Sequence, residues 1–225
     1  MKKIVFIMMA MLMAVIPSTA QNYKHSKYYN QKTGHLDYGF NNKGIDTYYG
    51  IRIGPGFSYV TSDDSRLDGG DWQTGLNVGV VAGFPLTYSD PLYFETGLYY
   101  IEKGGKKSLG GGKKMTYDLN YLEIPVVVKY KYEVDDDLTI EPFAGGYFAA
   151  GVGGKIKNFA EREAQSSFRS DNFRRLDGGL RIGCGVSYDM FYADLTYDLG
   201  LANICHDTFD KARNRAVMLN FGVNF

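Results

Sequence analysis

The stretch that most constrains this chain is YLEIPVVVKY, residues 121–130. Side chains of a β-strand alternate between its two faces. Leu122, Ile124, Val126 and Val128 therefore share one face, and Tyr121, Glu123, Pro125, Val127 and Lys129 share the other. In a sheet buried against protein on both sides, Glu123 and Lys129 would be buried charges and Pro125 would remove a ladder donor. The pattern asks for an apolar medium on one side of a single sheet and a polar one on the other.

The same period of two returns along eight segments, at about 47–59, 72–84, 92–103, 116–132, 138–152, 174–188, 191–201 and 215–225. The connections alternate in length. Those at 60–71, 104–115, 153–173 and 202–214 are long, and those at 85–91, 133–137 and 189–190 are short. Outer-membrane barrels have short periplasmic turns and long outer loops, and a tilted crossing strand needs ~9–11 residues. The reading is an all-β, eight-stranded antiparallel up-and-down transmembrane β-barrel. A soluble ligand-binding barrel would put the apolar face inside, and alternation alone does not say which face that is. Three features favour lipid outside: an export signal, the loop alternation and the last strand.

The export signal is MKKIVFIMMAMLMAVIPSTA. Lys2 and Lys3 precede an apolar run from Ile4 to Ile16, and Ser18 and Ala20 supply the small residues of a cleavage site. The run is short of the ~20 residues of a spanning helix. Residues 1–20 are thus expected to be a cleaved signal peptide, 21–46 a polar flexible segment, and 47–225 the barrel in the cell outer membrane. Losing Lys2 and Lys3 leaves 23 basic against 25 acidic residues, which is no nucleic-acid signature. Nothing after residue 20 resembles a transmembrane helix.

A barrel of eight strands is wide enough only to be filled by its own side chains. The polar face would carry Arg52, Lys129 and Arg181 with Glu95, Glu123, Glu141, Asp177, Asp194 and Asp198. Such charges are tolerable when paired and hydrogen-bonded, so a lumenal charge network is expected, with Glu95 or Glu141 as partners for Lys129. Six acids against three bases leave a narrow cation-preferring path as the alternative. The glycines of this face, such as Gly79, Gly83, Gly183 and Gly185, leave room in the lumen. Tyrosines near the strand ends, among them Tyr48, Tyr49, Tyr130, Tyr132 and Tyr188, read as interfacial belts. Pro125 is expected to mark a bulge or a missing ladder bond.

Other motifs carry little. KGGKKSLGGGKKMT, residues 103–116, fails the phosphate-loop pattern. As an outer loop it is a cationic tip, and Lys103, Lys106, Lys107, Lys113 and Lys114 could meet lipopolysaccharide phosphates. DDSRLDGGD lacks EF-hand spacing, and Asp135, Asp136 and Asp137 read as a solvated turn. His25 and His35 lie in the N-terminal segment. His206, near Asp207 and Asp210, has no strand-borne Ser or Cys beside it. No catalytic group, metal site or cofactor is expected. Cys184 and Cys205 fall on different elements and are not expected to be bonded. The charged 153–173 loop is the candidate partner surface.

YLEIPVVVKY, IEPFAGGYFAAGVGG and LDGGLRIGCGVSYDMFYADLTYDLGLANI resemble segments of the PorT-type outer-membrane β-barrel family, an eight-stranded "porin family" group. The resemblance covers about residues 47–225. It implies the fold, and for the name-giving member a part in assembling a secretion system, but no catalytic residues. The chain ends on Val217, Leu219, Phe221, Val223 and Phe225 at spacing two. Phe221, Val223 and Phe225 read as the signal recognised by the outer-membrane assembly machinery. The expected function is a non-enzymatic barrel with a filled polar lumen, acting structurally or through its loops. A narrow channel for small solutes or ions and an accessory part of a secretion system are the alternatives.

Overall fold

Alternation at period two becomes eight strands, each antiparallel to its neighbour in sequence: β1 (Tyr48–Ser62), β2 (Gln73–Pro85), β3 (Leu92–Ser108), β4 (Lys114–Tyr130), β5 (Leu138–Gly153), β6 (Leu176–Tyr188), β7 (Phe191–Gly200) and β8 (Ala212–Asn224). The structure is a computed structural model that describes residues 47–62, 71–87, 90–108, 114–135, 137–157, 165–168, 173–205 and 211–225. The expected signal peptide and the 21–46 segment lie outside these residues. β8 returns to pair with β1, and β4 pairs with β5, so the sheet closes on itself. Closure removes the barrel edge that an open sheet would expose. At the seam, Phe225 N donates to Tyr49 O at 2.8 Å and Tyr49 N donates to Phe225 O at 3.2 Å. Among the described residues no helix is long and apolar enough to cross a membrane.

The faces sort as the sequence alternates. In β4, Tyr121, Glu123, Pro125, Val127 and Lys129 are buried, while Leu122, Ile124, Val126 and Val128 are exposed. Leu180, Ile182, Leu195 and Phe221 are each about half exposed on the outside. Water would penalise so wide an apolar wall, and lipid does not. The connections 86–91, 131–137 and 189–190 lie at the end that holds both strand termini, and 63–72, 154–175 and 201–211 at the other.

Four details differ from the sequence reading. β3 runs on to Ser108 and β4 starts at Lys114, so the expected 104–115 loop shrinks to 109–113. The two glycines after Lys103 read as a loop by composition, yet Gly104 sits inside the strand at φ 149°, a conformation that favours glycine. Its amide donates to Ser58 Oγ at 3.0 Å, which ties it to the barrel wall. Lys103 is consequently not at a tip but inside the barrel, 1% exposed. Tyr48 also points inward rather than into a belt, with its ring against Gly83, where a side chain would strike it.

Beyond the barrel, Lys155–Lys157 pairs with Thr116 and Tyr117, and Gln165–Ser166 pairs with Lys155 and Ile156. Pro125 stays in register with Tyr147 on β5. On the other side the β3–β4 ladder lapses between Thr96↔Val126 and Tyr99↔Glu123, and Thr96 Oγ1 donates to Pro125 O at 2.7 Å. The register shift in β4 is at Asn120/Tyr121, so Pro125 marks a missing ladder bond and not a bulge. No disulfide joins Cys184 to Cys205.

Candidate functional site

The lumen is crossed by two charge clusters. The first joins facing walls. Arg181 and Asp198 stand directly opposite one another on β6 and β7. Arg181 Nε donates to Asp198 Oδ1 at 2.7 Å and its Nη2 to Asp198 Oδ2 at 2.9 Å, the two-pronged geometry of a strong pair. Nη2 also donates to Glu123 Oε1 on β4. Lys103, on β3, reaches Glu123 Oε2 at 2.7 Å and Asp198 Oδ2 at 3.0 Å. Its Nζ lies 4.2 Å from the Tyr147 ring centroid. Two cations and two anions close a neutral set that ties β3–β4 to β6–β7. Removing one member strands a buried charge, which typically costs about 3–5 kcal/mol.

The second cluster lies toward the short-turn end. Lys129 Nζ reaches Glu95 Oε2 at 2.8 Å and Glu141 Oε2 at 3.3 Å, and donates to Tyr192 Oη at 2.9 Å. Tyr48 Oη donates to Glu95 Oε2 at 2.5 Å, and Ser187 Oγ to Glu141 Oε1 at 2.7 Å. Arg52 lies 3.7 Å above the Tyr192 ring and donates to Asn224 Oδ1 at 2.6 Å and Val223 O at 3.1 Å. Just past β4, Lys131 sits 3.8 Å over the Tyr48 ring and 4.4 Å over that of Tyr93.

Two further carboxylates are held by neutral groups. Asp194 Oδ1 accepts from Thr196 Oγ1 and Asn220 Nδ2, both at 2.7 Å. Asp177 Oδ2 accepts from Asn214 Nδ2 at 2.8 Å, and its Oδ1 from Gly178 N at 2.7 Å. Neither forms an ion pair among the described residues. Asn77 is wholly buried, and neither amide atom has a hydrogen-bond partner among them.

Above the first cluster the chemistry changes. Tyr117 stacks on Phe173 at 5.7 Å between centroids, and Tyr121 meets Phe168 edge-on at 5.6 Å. Leu119, Ala149, Ile204 and Cys205 belong to the same buried apolar cluster. Phe168 and Phe173 come from the 154–175 connection, and Ile204 and Cys205 from 201–211. Arg174 N donates to Ile204 O at 2.8 Å, and Ser167 Oγ to Asp118 O at 2.6 Å, which pins the two connections over the mouth.

All nine residues named from the sequence for the lumen lie buried inside the barrel: Arg52, Glu95, Glu123, Lys129, Glu141, Asp177, Arg181, Asp194 and Asp198. The structure places seven of them in the two clusters, leaves Asp177 and Asp194 on neutral partners, and adds Lys103, Tyr48, Tyr147, Tyr192, Asn214 and Asn220. Continuing the alternation on the polar face would have found Tyr147, Tyr192, Asn214 and Asn220, whereas Lys103 reads as a loop residue and Tyr48 as a belt residue. Of the lipopolysaccharide candidates, Lys103 is withdrawn, because it is buried in the first cluster. Lys106 and Lys107 lie on the projecting part of β3, Lys114 opens β4, and Lys113 lies outside the described residues. Within the 153–173 loop, the candidate partner surface, Ser167, Phe168 and Phe173 are buried and Lys155 and Ser166 exposed. His206, Asp207 and Asp210 lie outside the described residues. Among those described, no group of three His, Cys, Asp or Glu side chains could hold a metal ion.

The family described as "Outer membrane protein beta-barrel domain" matches residues 20–206. Solved structures similar to the chain include Ail of Yersinia pestis in complex with the heparin analogue sucrose octasulfate, 16% identical, covering 80% of this chain and 99% of that one, with a TM-score of 0.42. OprG of Pseudomonas aeruginosa is 14% identical over 79% of this chain and 95% of that one, with a TM-score of 0.45. A major outer membrane protein of Thermus thermophilus is 14% identical over 80% of this chain and 100% of that one, with a TM-score of 0.47. No curated protein matches.

Proposed function

For a chain that belongs to the outer membrane β-barrel family, we propose a closed, non-enzymatic scaffold whose long loops face out of the cell and whose lumen does not conduct. The observation that carries this is the layered obstruction of the lumen. Arg52, Lys103, Lys129, Glu123, Tyr121 and Tyr147 are among its largest fully buried side chains, and they reach across it from opposite walls. Opening a path would separate Lys103 from Glu123 and Asp198, and Arg181 from both acids. The work of the protein then falls to its outer end. Lys106, Lys107, Lys113 and Lys114 are candidate contacts for lipopolysaccharide there, and Phe221, Val223 and Phe225 are candidates for recognition by the assembly machinery.

Planar-bilayer recording of the refolded barrel tests the reading. No steady single-channel openings are expected. A reproducible cation-selective conductance would overturn it and favour the narrow channel. One observation supports that second reading: Asp177 and Asp194 carry no ion-paired cation among the described residues, which leaves the lumen rich in acids. Within the family, the resemblance to PorT-type members supports an accessory place in a secretion machine. Co-purification from native outer membranes separates that role from a free-standing one.

A further inference from the structure

We propose that Lys211, Arg213 and Arg215 form a site for the phosphates of lipopolysaccharide on the lipid-facing side of the barrel, apart from the projecting hairpin. The inference rests on the orientation given above, with the long loops outward, and not on whether the lumen conducts. From the outer end downward, the outward positions of this strand read Lys211, Arg213, Arg215, then Val217, Leu219, Phe221 and Val223. Three cations give way to an unbroken apolar face. The register places Arg213 opposite Thr61, and Arg215 between Tyr59 on β1 and Leu199 on β7. One step lower, Val217 lies between Phe57 and Tyr197. The cations therefore begin where the lipid-facing belt ends. At that same level the Tyr59 and Trp72 rings meet at 4.6 Å, in the manner of an interfacial girdle.

The three cations line a small cleft with Thr61 and Ser62. None of the three forms an ion pair among the described residues, and Arg215 Nε is buried without a hydrogen-bond partner. The lumenal carboxylates lie on the other side of the sheet and cannot serve. A cation at the edge of hydrocarbon is unfavourable unless it finds an anion or reaches the interface. An amphiphile whose phosphate lies at the boundary between chains and headgroup supplies that anion in place, and guanidinium groups bind phosphate through paired N–H donors. The outer leaflet of an outer membrane offers lipopolysaccharide at this depth. Basic clusters beside membrane strands or helices attract anionic headgroups by roughly 1 kcal/mol per Lys or Arg, about five-fold in affinity each.

The test titrates the refolded barrel in uncharged micelles with bis-phosphorylated lipid A and follows the emission of Trp72, the chain's single tryptophan, beside the site. Saturable binding is expected. The triple variant Lys211→Gln, Arg213→Gln, Arg215→Gln should weaken it on the order of 100-fold. Heat-modifiable mobility on gels reports whether each variant is folded. Should the triple variant not fold, Arg213→Gln alone, at an exposed position, should weaken binding about five-fold. The pair Arg213→Lys, Arg215→Lys should keep most of the affinity, because charge is retained. Unchanged affinity in the glutamine variants would overturn the proposal. So would equal binding of dephosphorylated lipid A. Competition by inorganic phosphate at matched concentration would indicate a free-anion site and also overturn it. Loss of binding in Lys106→Gln, Lys107→Gln with the triple variant unaffected would place the contact on the hairpin instead.

Discussion

At the level of Arg181 the lumen is held by charge, and at the level of Tyr117 by rings. The first region is made wholly of strand residues. Arg181, Asp198, Glu123 and Lys103 are fixed by register, and each satisfies two of the others. The second draws on strands and connections together, with Tyr117, Leu119 and Tyr121 from β4 meeting Phe168, Phe173, Ile204 and Cys205. Both regions bury their side chains. They differ in what failure means. A charge that loses its partner has no good alternative in a narrow lumen, whereas a loop that loses a ring contact can lift into water while the barrel below stays closed.

The largest expected effect follows from that asymmetry. Arg181→Met leaves Glu123 and Asp198 sharing Lys103, and should lower the unfolding free energy of the barrel in vesicles by about 3–5 kcal/mol. Urea titration of the folded fraction measures it. The double variant Arg181→Met, Asp198→Leu removes one charge of each sign and leaves Lys103 with Glu123, so it should recover much of the loss. A double variant as unstable as the single would mean that shape, and not charge balance, holds this level of the barrel.

Phe173→Ala tests the other region. Truncating a buried Phe usually costs about 3–5 kcal/mol, and at a loop-built cap roughly 2–4 kcal/mol of local opening is expected. The loss should appear as faster hydrogen exchange and faster proteolysis in 154–175, with the urea midpoint of the barrel unchanged. A midpoint shift as large as that of Arg181→Met would erase the distinction, making cap and barrel one cooperative unit.

How much could be read from the sequence divides along the same line. Where strands alone build the structure, alternation suffices: it separates Glu123 and Lys129 from Ile124 and Val128, and it puts Asp194 and Asp198 on the face opposite Leu195. It falls short at Lys103, because Gly104 and Gly105 look like a loop and only the fold shows a glycine at positive φ continuing the strand. It falls short again at Tyr48, where a terminal tyrosine looks like a belt residue but finds Glu95 at hand inside. The cap is out of reach for a stronger reason. Phe168 and Phe173 lie in a polar, charged segment with no period, and their partners on β4 are some fifty residues away in the chain. Periodicity carries no information about which loop side chains fold back over a mouth.

The smallest effect sharpens the claim about the charged region. Pro125 faces the lumen between Glu123 and Lys129 on the strand that carries both clusters, and the β3–β4 ladder lapses beside it. If register and side-chain pairing hold this level, the backbone defect should matter little. Pro125→Ala restores one N–H donor, with a net value of about 0.5–1.5 kcal/mol if it finds an acceptor. The same change frees the unfolded chain, which disfavours folding by about 0.4–1 kcal/mol. The two terms oppose, so the urea midpoint should correspond to a change within about 1 kcal/mol, several-fold below that of Arg181→Met. A stabilisation well beyond that limit would show that the lapse at Thr96–Tyr99 is a real weakness, kept for something other than stability. A destabilisation of several kcal/mol would show that the proline ring itself is part of the packing between the two clusters, and the division between charge-held and ring-held levels would have to be redrawn.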